Sequence, residues 1–205
     1  DRFSTGSPLM VEKKLAFDPA FFVVIIGLVF RSRNDEQPRD EEPDEQKRYL
    51  ARNGYKLLSD WQRVPGKQDD GSFDADVFRK WIAEARRITE ETGHAQVAQI
   101  QIGHVLTQAP VDPGGLWIHE SVADVLNQRN TGKMRSGFTT QLFNNRGVHG
   151  FTHGEEERQL ARQNRERANA LDAKGYTRFA TAMREFAEQY EREAERESKR
   201  DPFGD

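Results

Sequence analysis

The stretch DPAFFVVIIGLVFR, residues 18–31, decides the fold class. From Phe21 to Phe30 it carries no polar side chain, inside a chain in which 32% of residues are charged. The β-branched run 23–26 would suit a buried strand, while the residues before it suit a helix. Asp18 is an N-cap residue, and Pro19 stands at the first helical position, where a missing N–H costs nothing. Phe17 and Phe22 occupy the two positions of a hydrophobic staple. A strand would need partners, and nowhere else does the chain alternate apolar and polar residues over a useful length. The stretch therefore reads as a helix, and the chain as all-α: an irregular multi-helix bundle of about 7–8 helices with no substantial sheet.

Ten apolar residues fall short of the roughly twenty that a membrane span needs, so no membrane is expected as a partner. A helix apolar on every side must be surrounded. Phe21, Phe22, Ile25, Ile26, Val29 and Phe30 are accordingly expected to meet the rest of the N-terminal part, a protein partner, or a second copy of the chain.

Outward from this helix, residues 33–46 hold seven acidic residues and two prolines and read as a solvated linker. The organisation expected is an N-terminal segment 1–33, an acidic linker 34–46 and a helical domain 44–200. Within that domain Leu50, Leu57, Leu58 and Trp61 share a face. After the loop 64–76, Val77, Phe78, Trp81, Ile82, Ala85 and Ile88 mark an amphipathic helix capped by Asp74 and stopped by Gly93. Further helices are expected around residues 98–109, 119–129 and 138–143, then over 155–171. The strongest periodicity follows, with Tyr176, Phe179, Ala180, Met183, Phe186, Ala187 and Tyr190 on one stripe.

Composition narrows function without naming it. Three Trp, four Tyr and 13 Phe give a core that disordered chains lack. A net charge of -3 provides no global field toward nucleic acid, which is not an expected partner. Cysteine is absent, which removes disulfides, thiolate metal sites and a cysteine nucleophile, and fits the cytoplasm. Asp1 in place of Met reads as a fragment or a processed form of a longer chain.

The most chemical-looking stretch is RGVHGFTHGEEE, residues 146–157. His149 and His153 stand four apart with Glu155 following, a metal-ligating spacing on a helix. Gly147, Gly150 and Gly154 make this a loop instead, and the acids then favour the start of the next helix. His149, His153 and Glu155 remain the candidate metal ligands. Arg158, Arg162 and Arg165 lie on adjacent turns of one helix face and are the candidate phosphate or nucleic-acid residues. Their helix and the next are rich in both charge signs, which reads as a solvated surface. Three other motifs fail. Placing Gly71 at the glycine position of a calcium loop puts Gly66, Gln68 and Val77 where acidic ligands belong. Gly132–Lys133 lacks the glycine five residues earlier and the hydroxyl after the lysine that a phosphate loop requires, and Gly132 reads as a helix C-cap. Ser121 and Ser136 have no nucleophile-elbow context. No cofactor is expected.

Several phrases, DPAFFVVIIGLVFR, DGSFDADVFRKWIAEAR, QIGHVLTQAP, GFTTQLFNNRGVH and ATAMREFAEQYEREAERE, resemble the C-terminal region of a group of very large bacterial proteins of no established activity. The resemblance spans about residues 15–198 and implies the tail of a longer cytoplasmic bacterial protein. It carries no catalytic residues, and the HGFTH loop departs from it. The function expected is a non-enzymatic α-helical interaction or scaffolding module. The alternatives are an enzyme or metal site at His149 and His153, and a nucleic-acid-binding helical domain.

Overall fold

Asp18 does what its position predicts in the computed structural model: its carboxylate accepts from the Phe21 N–H at 3.0 Å, and Pro19 opens the helix. The structure describes residues 8–34, 44–146 and 153–199. Among them nine α-helices form, with no strand and a single isolated bridge between Lys67 and Phe73, so the fold is all-α. No helix among these residues is long and apolar enough to cross a membrane. The chain divides into two compact units, residues 1–108 and 109–205. Most of the acidic segment 34–46 lies outside the described residues.

The first unit holds α1 (Pro8–Phe17), α2 (Pro19–Val29), α3 (Glu45–Ser59), α4 (Ala75–Glu91) and α5 (Ala95–Leu106). The apolar α2 packs against each of the other four. Its Phe22 meets Trp61 and Trp81 at centroid distances of 5.5 and 5.2 Å, and Trp81 Nε1 donates to the Leu15 carbonyl at 3.1 Å. α3 approaches closely because Gly54 is bare: a Cβ there would stand 2.8 Å from Val29 Cγ2. Asp74 caps α4 through the Asp76 and Val77 amides, and Gly93, at φ +73°, ends it. α1 is an addition to the expected set.

The covering of α2 is one-sided, which corrects the expectation that all its faces are enclosed. Phe22, Val23, Ile25 and Ile26 are buried by the chain's own helices. Phe22, Ile25 and Ile26 are thus internal and unavailable to a partner, since one apolar face suffices to fill the core between the four neighbouring helices. Phe21, Val29 and Phe30 are half-buried. Ala20, Val24 and Gly27, spaced four and three apart, point outward, and Val24 is 54% exposed.

The second unit holds α6 (Glu120–Asn127), α7 (Gly132–Asn144), α8 (Glu155–Ala173) and α9 (Thr177–Ser198). α8 and α9 form an antiparallel pair joined through Gly175 at φ +84°. Ala161 and Ala168 on α8, and Ala180, Ala187 and Ala194 on α9, recur seven apart at buried positions and let the backbones approach. The expected α9 stripe is buried from Phe179 to Tyr190, and Phe138 of α7 meets Phe179 edge-on at 5.3 Å. Gly132 is a correction. It opens α7, after Thr131, and caps no helix C-terminus, because the Thr131 hydroxyl already serves the carbonyls that end α6.

Candidate functional site

The stretch singled out for its histidines is closed at its base by ions. Arg146, just beyond α7, places Nη2 2.9 Å from Glu157 Oε1 in the first turn of α8 and Nη1 2.9 Å from Glu193 Oε2 on α9. Its guanidinium also lies 5.3 Å above the Phe143 ring and 5.5 Å above Tyr190. The Glu157 side chain is 5% exposed, and its Oε2 is buried without a hydrogen bond among the described residues. Burial drives the Tyr190 phenol upward from its ordinary pKa. Gly154 completes the base: a Cβ there would stand 2.5 Å from the Ala194 carbonyl oxygen. Arg146, Glu193 and Tyr190 do not stand out in the sequence. Glu157 does carry a signal, since it continues the buried α8 series Ala161, Asn164, Ala168 and Leu171 at core spacing.

His149 falls outside the described residues. His153 is exposed at φ +55°, the following Gly154 is also left-handed, and Glu155 is exposed at the start of α8. Two successive left-handed residues separate His153 from helical geometry. Among the described residues no group of three or more His, Asp or Glu side chains is placed to hold a metal ion. Arg158, Arg162 and Arg165 are all exposed on α8. Arg165 is taken by Glu191 at 2.7 Å, and Arg158 donates to the His153 carbonyl at 3.3 Å.

A serine, a histidine and an aspartate do meet in the second unit. His119 Nδ1 lies 2.9 Å from Ser121 Oγ and 4.0 Å from Asp112 Oδ2. A nucleophilic triad uses both ring nitrogens, one toward the serine and the other toward the acid. Here both neighbours crowd Nδ1, which also accepts from the Ser121 N–H at 3.2 Å. Ser121 is 2% exposed, with no path to a substrate. The arrangement is a helix cap. Asp112 extends it by accepting from the Gly114 N–H at 2.7 Å and the Glu120 N–H at 2.9 Å. These bonds, that from Glu120 foremost, hold its carboxyl below the ordinary range.

The aspartate loop of the first unit is likewise committed. Asp69 pairs with Lys13 and with Arg63, Asp70 accepts from the Ser72 N–H and hydroxyl, and Asp74 caps α4. Lys13 and Arg63 also lie over Phe17, 5.9 and 5.3 Å from its centroid, leaving that ring 40% exposed.

The polar constellations described here close helix ends and loops. The outward face of α2 is different in kind. Ala20, Val24 and Gly27 are exposed, Phe21 and Leu28 flank them half-buried, and the helix has no ionisable side chain from end to end. Comparison of the chain with protein-family models, curated proteins and solved structures returns no match.

Proposed function

We propose that this chain is a non-enzymatic α-helical interaction module that self-associates through the outer face of α2. The observation that carries the reading is the uncharged stripe Ala20, Val24 and Gly27, bordered by Phe21 and Leu28, on a helix whose opposite face is already core. A second copy offers the same uncharged surface, so the two can meet about a two-fold axis with no charge to desolvate on either stripe. Small residues on both sides of Val24 permit close helix approach. The arrangement fits a scaffolding element of a larger cytoplasmic protein, as the sequence resemblance implies.

The chain has no cysteine, so a nitroxide placed at Val24→Cys is unique. Pulsed dipolar spectroscopy should give a short inter-spin distance whose amplitude grows with protein concentration. A label at Thr140→Cys, exposed on α7 of the other unit, reports the background. Dipolar coupling at position 24 no stronger than at position 140 at every concentration would reject the reading.

A further inference from the structure

From Val125 to Gly154 the chain holds four cations, Arg129, Lys133, Arg135 and Arg146, and no carboxylate. Arg146 is taken by Glu157 and Glu193. The other three gather with Arg178 where the turn after α6 meets the start of α9. Asn127 fixes that junction, its Oδ1 accepting from the Arg178 N–H at 2.8 Å and the Phe179 N–H at 3.3 Å. Arg135 folds back on the same turn. Its Nη1 donates to the Leu126 and Gln128 carbonyls at 2.6 and 2.9 Å, and its Nη2 lies 3.8 Å from where a Cβ of Gly132 would stand.

Arg129, Lys133 and Arg178 are exposed, and Arg135 is half-buried. Burial and then the neighbouring Arg178 cation hold the Arg135 guanidinium below its ordinary pKa, with Glu185 offsetting part of this. None of the four forms an ion pair among the described residues, whereas Arg165, Lys174 and Arg184 in the same unit each meet a carboxylate. The local helix adds to the imbalance. α7 begins with no side-chain cap and no acid in its first turn, and it carries Lys133 there. That is the reverse of the favoured placement, which α8 follows with Glu155, Glu156 and Glu157.

We propose that Arg129, Lys133, Arg135 and Arg178 form a face that binds the phosphate backbone of nucleic acid without sequence preference. Three of the four are arginines, whose planar fork matches phosphate oxygens. No exposed aromatic side chain occurs among the described residues of this unit to stack on bases, so the contacts are ionic and carry no sequence information. The site is separate from Arg158, Arg162 and Arg165, and from the α2 face.

The test is fluorescence anisotropy of a labelled random-sequence DNA duplex titrated with the full chain at a series of salt concentrations. Four phosphate contacts predict a slope of log affinity against log salt of about −3.6, and two predict about −1.8. The exposed double variant Lys133→Glu/Arg178→Glu should show the shallower slope and on the order of tenfold weaker binding at low salt. Arg158→Glu/Arg162→Glu should leave both values unchanged. Absence of binding at low salt overturns the proposal, as does a loss that follows Arg158 and Arg162 in place of Lys133 and Arg178. Equal affinity for labelled polyglutamate also overturns it, by marking the face as a site for acidic peptides.

Discussion

Replacing Arg146 with Met tests the ionic base of the second unit. The substitution keeps much of the aliphatic length but leaves the Glu157 carboxylate, 5% exposed, with no cation. Breaking a buried pair by removing one partner costs about 3–5 kcal/mol, because the remaining charge stays desolvated. Loss of the cation–π contacts with Phe143 and Tyr190 adds about 0.5–1 kcal/mol each. Against this, Arg146 and Glu193 retain 18% and 26% exposure, so water reaches part of the site. A net loss of about 3–5 kcal/mol is expected. Urea denaturation combined with hydrogen exchange resolved by peptide locates the effect: α8 and α9 should lose protection while α4 keeps it. Adding Glu157→Leu removes the stranded charge and should restore most of the loss, since apolar replacement of a buried pair is often neutral. A cost below about 1 kcal/mol for Arg146→Met, or no recovery in the double variant, would refute the assignment of Arg146 as the clamp.

Two further outcomes follow from the titrating groups. Asp112→Asn turns an N–H toward one of the two amides that the carboxylate accepts, and should cost about 1–3 kcal/mol in the second unit by urea denaturation. The Asp112 carboxyl is lowered on folding, so its contribution is present above the ordinary value of 3.8 and is lost as pH falls below it. The wild type should therefore lose more stability than Asp112→Asn on acidification through that window. His104 is lowered from 6.5 by burial, and its Nε2 is buried without a hydrogen bond, so the folded state keeps the ring neutral after the unfolded chain has taken up a proton. Stability should fall as pH drops below 6.5, and His104→Gln should flatten that slope in the urea midpoint.

Elements whose signals are local were legible. Asp18 with Pro19 and Asp74 with Gly93 are caps that a few residues specify, and the α9 stripe repeats over many turns. α1 was not legible, since within it only Leu15 and Ala16 are described as buried. Gly132 was misread because glycine marks either end of a helix, and the deciding group, the Thr131 hydroxyl, acts through tertiary contacts with α6. The Arg146–Glu157–Glu193 cluster depends on how α7, α8 and α9 come together, which no short window contains. The apolar run of α2 suggested full enclosure. What it could not tell is that four neighbours bury one face and leave the stripe through Val24 outside.

Light scattering across a concentration series tests the central claim, that this outward face associates with itself. The wild-type chain should move from 23.6 kDa toward twice that mass as concentration rises. Val24→Glu, which places a charge on a position already 54% exposed and so spares the fold, should stay at the single mass throughout. A wild-type chain that remains at 23.6 kDa at every concentration, or a Val24→Glu variant that associates equally well, would contradict it.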